Sequence, residues 1–218
     1  MYLLIHRGRA VGEDKIMETF WPGDPEKAQN SLYSTLHRLR KALEKKGDGS
    51  LADPVLHQGK GYGFNTDIQH SFDVEEFESS YEKGARLWES RQRGDAAAHF
   101  QRADRLYGGE FLEGVYEDWA LAVRERLERK YLDVLVYLAQ FYNEDGRFDL
   151  GISYAERAVD MERCEERAHA ELMNGYFRSG KRDLAVRQYH TLCKILKDHL
   201  GLSPSPPTVR LHLQITQS

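Results

Sequence analysis

Residues 24–46 read DPEKAQNSLYSTLHRLRKALEKK, and this stretch decides the fold. It begins as a helix begins. The carboxylate of Asp24 can accept a hydrogen bond from an otherwise orphaned backbone N–H, and Pro25 suits the first helical position, where no N–H is needed. Ala28, Leu32, Leu36, Leu39 and Leu43 then recur at steps of three and four, which places them on one face of a helix running from Asp24 to Lys46. At about 100° per residue the opposite face carries Asn30, Ser34, His37 and Lys41. Lys27, Arg38 and Lys45 border that polar stripe on one side, Tyr33 and Arg40 on the other. One face is fit for a core. The other bears donors that suit a DNA major groove: Asn for an adenine edge, Arg or Lys for guanine, Ser or Lys for phosphate. Taken alone, the stripe is equally an ordinary solvated face, where Lys and Arg are the default residues.

The residues beyond the helix favour the nucleic-acid reading. A turn-rich link, KGDGSLADP, leads into VLHQGKGYGFN, Val55 to Asn65. Val55 and Leu56 begin a strand, Gly59-Lys60 makes a tight turn, and Tyr62 and Phe64 alternate with Gly61 and Gly63 in a second strand. This predicts a β-hairpin with Lys60 at its tip. A helix followed by a hairpin with a basic tip is the layout of a winged helix, whose helix enters the major groove while the wing touches the backbone or minor groove. The GKGYG run does not suit a phosphate-cradling loop, because it lacks the G-x-x-x-x-G-K-[ST] spacing and no helix opens directly after it.

These residues carry a resemblance. LLIHRGRAVGEDKIMETFWPGDPEKAQNSLYSTLHRLRKALE, followed by HQGKGYGF, resembles the winged helix of response regulators, and more closely the version in the Streptomyces antibiotic regulatory protein family. In that family a bacterial transcriptional activator domain built on helical repeats comes next. The chain beyond Asp73 resembles that domain too, through YGGEFLEG with Asp118-Trp119, RERL at 124–127, EERAHAELM at 165–173 and LGLSPSP at 200–206. The family's first helix is longer and is preceded by several β-strands. This sequence departs from the pattern by lacking them, as a fragment, a misassigned start or a trimmed domain would.

A chain of 218 residues suffices for one or two domains with real cores. Its net charge of −4 argues against wholesale coating of nucleic acid, yet from His37 to Lys46 five Lys or Arg face one acid, so any footprint is local. The two cysteines, Cys164 and Cys193, lie far apart without metal-ligand spacing, which fits a reducing cytoplasm. No apolar run approaches ~18 residues, so no membrane span is expected, and Met1 to Ile5 is too soon interrupted by His6-Arg7 to be a signal peptide. Met1 to Ile5 reads as the end of a helix closed by Gly8. Val11 and Gly12 lead into a second helix, Glu13 to Phe20 or Trp21, with Ile16, Met17, Phe20 and Trp21 on its buried side.

A second domain begins near Ser71. Asp73-Val-Glu-Glu76 suits a capping box with Asp73 as N-cap. Helices are then expected from Val74 to Gln92, Asp95 to Tyr107, Asp118 to Glu144, Phe148 to Met161, Glu165 to Ser179, Arg182 to Leu200 and Thr208 to Gln217. Gly146 and Gly180 are 34 residues apart, the tetratricopeptide period, and introduce the similar runs GRFDLGISYAERAVDM and GKRDLAVRQYHTLCKI. RGDAAAHFQRADRL around Gly94 reads as a third, shortened copy. Three helix pairs are about the minimum for a stacked solenoid.

No constellation argues for catalysis. His169-Ala-Glu171 lacks the two His at i and i+4 that a zinc helix needs, and His169 is read as helix surface or a satisfied interhelix contact. The paired acids Glu75-Glu76, Glu117-Asp118 and Glu165-Glu166 lie near helix starts, where the macrodipole accounts for them. Arg124, Arg126, Arg129 and Lys130 form a basic cluster, read as solvated face, with DNA backbone, a neighbouring subunit or an anionic effector as the sharper option. The whole is a mainly α chain: a partial winged helix with a β-hairpin wing over residues 1–67, then a TPR-like helical repeat domain over 71–218. The expected DNA contacts are Asn30, Tyr33, Ser34, His37, Arg38 and Lys41 on the helix and Lys60 on the wing. The resemblance implies a transcriptional activator with double-stranded DNA and RNA polymerase as partners, with a homodimer and an effector left open. The residues suggest no cofactor or metal. The rival expectation is a TPR-like protein-interaction or effector-binding scaffold that does not bind DNA.

Overall fold

Asp24 starts its helix as its carboxylate allows. Oδ1 accepts from the backbone N–H of Glu26 at 3.0 Å and of Lys27 at 3.4 Å, which satisfies two donors that a helix start leaves open. The computed structural model describes residues 1–44 and 53–217. The chain divides into two compact units, Met1–Ser71 and Phe72–Ser218.

The first unit comprises α1 (Tyr2–Ile5), β1 (Val11–Gly12), α2 (Glu13–Phe20), α3 (Pro25–Glu44), β2 (Val55–Gln58) and β3 (Gly61–Phe64). Lys45 and Lys46, expected to continue α3, lie outside the described residues, as does most of the link after them. Ala28, Leu32 and Leu36 are buried as the periodicity predicts, but Leu39 and Leu43 are 40% and 39% exposed. The eight-residue α2 is shorter than the 20-residue α3 it packs on, so the apolar stripe of α3 outruns the described residues that cover it. On α2 only Ile16 is fully buried; Phe20 is more than a third exposed, its ring edge-on to Tyr2 at 5.1 Å.

The hairpin forms as expected, and a strand that was not expected joins it. Val11–Gly12 pairs antiparallel with β3, giving the sheet order β1-β3-β2. Two residues are too few to show a period of two, so the sequence hid this strand. Gly61 makes it possible. A Cβ there would lie 2.2 Å from the Val11 carbonyl oxygen, so only glycine allows the strands this close. The Lys60 carbonyl then accepts from the Glu13 N–H at 3.0 Å, so the wing tip caps the start of α2.

The second unit holds α4 (Asp73–Glu89), α5 (Arg93–Leu106), α6 (Asp118–Glu144), α7 (Phe148–Met161), α8 (Glu166–Arg178), α9 (Arg182–Leu200) and α10 (Pro206–Gln217). The capping box does not form. Phe72 is the N-cap, Asp73 is the first helical residue with its carboxylate on the Val74 N–H, and Glu76 bonds Arg102 at 2.9 Å.

Three helix pairs share one turn. Gly146 (φ 81°) and Gly180 (φ 80°) take the left-handed conformation that ends the first helix of a pair. The next residue then bonds five back: Arg147 N–H to Tyr142 O at 2.9 Å and Lys181 N–H to Tyr176 O at 2.8 Å. In the α4–α5 pair the same geometry belongs to Arg91 (φ 61°), with Gln92 N–H to Leu87 O at 2.9 Å, and Gly94 lies inside α5. The third repeat is therefore not shortened. Its turn residue is an arginine, which concealed the register. With Arg91 aligned to the two glycines, Ala96 falls with Gly151 and Ala185, all buried where the helices of each pair meet. At Gly151 a Cβ would lie 2.1 Å from Asn143 Oδ1.

His169 is wholly buried, not on the surface. Its Nε2 lies 3.0 Å from the Arg163 carbonyl and its Nδ1 2.6 Å from Gln188 Nε2. Those partners require the neutral ring with the proton on Nε2, and burial pulls its pKa below the usual value. Glu166 Oε2 accepts from the Ser205 backbone and hydroxyl and from the Thr208 hydroxyl, at 2.8–2.9 Å. It thereby fixes the start of α10, whose Ile215 closes the end of the repeats over Met173 and Ala185. Among the described residues no helix is long and apolar enough to cross a membrane.

Candidate nucleic-acid interface

The exposed side of α3 is the surface that Asp24 and the leucines determine. With Ala28, Leu32 and Leu36 committed to the core, Asn30, Tyr33, Ser34, His37, Arg38 and Lys41 all face solvent. Tyr33 is 46% exposed, and its hydroxyl accepts from Gln29 Nε2 at 3.2 Å. Arg38 Nε lies 3.4 Å from the Ser34 carbonyl, one turn back along the same face. His37 and Lys41 form no ion pair among the described residues. Six neighbouring side chains on one helix face thus present amide, hydroxyl, imidazole, guanidinium and ammonium groups without an acid among them.

Lys60 stands exposed at the hairpin tip beside Gly59, whose φ of 62° makes the turn. Arg40, which the sequence placed only on the flank of the stripe, turns out to tie helix to wing. Its guanidinium donates to the Val55 carbonyl at 2.8 Å and pairs with Asp53 at 2.8 Å. Asp53 in turn accepts from the Val55 N–H at 2.9 Å, and its carbonyl accepts from Asn65 Nδ2 at 3.0 Å. Asp53, Val55 and Asn65 form the base of the hairpin, so Arg40 holds α3 against that base. Its place beside Tyr33 was legible; its partner, 15 residues on, was not. His57 on β2 lies 3.2 Å from the Glu13 carboxylate, and its ring packs tilted against Tyr62 with centroids 4.9 Å apart. Burial, and then the Glu13 charge, push the Tyr62 phenol up.

The basic cluster of the second unit is not a free surface. Arg124 is 7% exposed, donates to the carbonyls of Phe111, Leu112 and Val115 and pairs with Glu110 at 2.7 Å. Arg126 and Lys130 both reach Glu78, at 3.2 and 2.7 Å. Arg126 remains exposed all the same, as does Arg129, whose Nε lies on the Glu125 carbonyl. The helical spacing showed that these residues stand close together on α6 but not that α4 supplies acids opposite them.

Comparison with known proteins agrees with both units. The model of the bacterial transcriptional activator domain matches residues 72–216, and that of the transcriptional regulatory protein C-terminal domain matches residues 1–64. The regulatory protein DnrI of Streptomyces peucetius is 26% identical over 209 residues, which are 93% of this chain and 76% of that protein. Among solved structures, Mycobacterium tuberculosis EmbR, in complex with a low-affinity phosphopeptide, superposes with a TM-score of 0.87 at 22% identity over 99% of this chain. The chain spans 57% of that protein's length. The C-terminal TPR-containing domain of a Plasmodium falciparum FK506-binding protein covers 69% of this chain at 13% identity, with a TM-score of 0.52 and 93% of its own length matched. The last two likenesses concern fold, and they bear out a winged helix followed by TPR-like repeats.

Proposed function

This chain belongs to the family of the bacterial transcriptional activator domain, as a regulator of the Streptomyces antibiotic regulatory protein type, and from that premise we propose that it binds promoter DNA through α3. In this reading residues 1–67 are the DNA-binding part. Helix α3 lies in a major groove with Asn30, Tyr33, Ser34, His37, Arg38 and Lys41 toward bases and phosphates, and Lys60 touches the backbone beside it. Residues 71–218 are the activator part, pairing subunits and presenting a surface to RNA polymerase in the cytoplasm. The observation that carries the reading is the run of exposed donors from Asn30 to Lys41 on the outer face of α3, held by Arg40 against a hairpin whose tip is an exposed lysine.

The test is fluorescence anisotropy with mixed duplex DNA at two salt concentrations. Three cations on phosphates, Arg38, Lys41 and Lys60, release counterions with a slope of about −2.7 in log affinity against log salt for each bound chain. Binding that ignores salt, or no binding at low salt, overturns the reading. A second reading, a TPR-like interaction scaffold without DNA binding, is favoured by the likeness to the Plasmodium TPR-containing domain. It requires the second outcome.

A further inference from the structure

The second unit carries a groove whose chemistry its own fold leaves unused. Helix α6 has 27 residues and α7 has 14, so α6 runs on past the end of its partner. The ledge left beside that end is a groove of about 430 Å³, floored by Tyr107, Tyr131 and Leu135 and edged by Glu128, Asp160 and Met161. A continuation of about 360 Å³ shares Glu128 and Met161 and adds Glu125, Arg129 and Leu132. Residues 125, 128, 132 and 135 succeed one another at helical steps on one face of α6. At about 1.5 Å per residue they span roughly 15 Å, the length of four or five extended residues.

The charge along this groove is net negative. Arg157 is engaged, pairing with Asp104 at 2.7 Å and bonding the Tyr131 hydroxyl, and the exposed Arg129, its Nε on the Glu125 carbonyl, is the one groove cation left against Glu125, Glu128 and Asp160 among the described residues. Among the described residues no cation pairs with the carboxylates of Glu125, Glu128 or Asp160. Asp160 and Met161 also form the last turn of α7, where the helix dipole is negative and a cation, not an acid, is stabilising. Tyr107 registers the same field: after burial, Glu128 and Glu110 are what push its phenol up to about 12. The ring of Tyr107, stacked at 3.8 Å on Tyr131, lines the groove beside these acids.

We propose that this groove is a docking site for a basic, extended segment of a partner protein. Its arginine or lysine side chains would sit on Glu125, Glu128 and Asp160, and its intervening apolar side chains on Leu132 and Met161. The proposal is independent of DNA docking, which involves the other unit.

The probe is a fluorescein-labelled pentapeptide of alternating arginine and leucine, titrated against the full chain, with a glutamate–leucine pentapeptide as control. The arginine peptide binds, and the Glu128→Gln/Asp160→Asn variant weakens that binding about tenfold, since two half-exposed charge contacts are removed. Amide shifts in the wild-type protein on adding the peptide cluster at Leu132 and Met161, a readout that does not depend on the variant folding. Equal affinity of variant and wild type, equal binding of the glutamate peptide, or no binding below about 1 mM overturns the proposal. Spermidine binding as tightly as the peptide assigns the groove to small polycations and overturns it as well.

Discussion

Replacing Gly61 by alanine tests how the wing is held. The new Cβ would fall 2.2 Å from the Val11 carbonyl oxygen and 2.7 Å from its carbon. These are backbone atoms of the paired strand, so no side chain can swing aside and β1 must move off. That forfeits the registered pairs Val11–Tyr62 and Gly12–Gly61, the Glu13 N–H bond to the Lys60 carbonyl, and the burial of Val11. Two backbone hydrogen bonds at about 1 kcal/mol each, with ~1.5 kcal/mol for the valine, come to roughly 3–4 kcal/mol. In a unit of this size the melting midpoint then drops by more than about 12 °C. Hydrogen exchange reads the effect locally. The Glu13 amide loses protection by about 100-fold or more, as 3 kcal/mol requires, while the Leu138 amide in the second unit keeps its own. Unchanged protection at Glu13 would refute the reasoning, because the clash would then have been absorbed without unpairing the strand.

The geometry sets four further outcomes. Arg38→Ala with Lys41→Ala leaves the circular dichroism unchanged and lowers the salt slope of DNA binding by about two; an unaltered slope in anisotropy would remove α3's outer face from the interface. Arg124→Ala removes the charged donor of three carbonyls of the 111–115 turn, and urea unfolding of the second unit shows a loss of about 2–4 kcal/mol. Arg91→Gly relieves a left-handed arginine and raises the thermal midpoint by the equivalent of about 1 kcal/mol. His169 has its folded pKa below the unfolded value of about 6.5. The unfolded chain therefore binds the proton more readily, and stability is full above that value and lost as pH falls below it. His169→Asn makes the urea midpoint of the second unit less dependent on pH between about 7.5 and 5.5.

The readings that held were those that rest on a repeating local pattern. The α3 leucines, the Gly-Lys turn and the two glycines 34 residues apart each determine a backbone conformation over a few residues, and local physics suffices for that. The misreadings share another cause. Gly94 attracted the third repeat because glycine favours turns, but Arg91 is held left-handed by the pair of helices around it. Arg124 read as surface because its type usually is, yet carbonyls of the 111–115 turn receive it in the core, whereas His169, read as helix surface or a satisfied interhelix contact, proves to be the latter through the Gln188 amide.

By itself, the sequence determined which segments are helices, where the hairpin turns, and which side of α3 is polar, because those stem from side-chain spacing and backbone preference. Only the tertiary structure decided which charged side chains remain available. Arg40, Arg124 and Lys130 were spent on partners 13–15, 9–14 and 48–52 residues away in the chain, whereas Arg38, Lys41 and Lys60 were left facing water. Whether a cation is free depends on which acids and carbonyls the fold brings to it, and no local pattern encodes that.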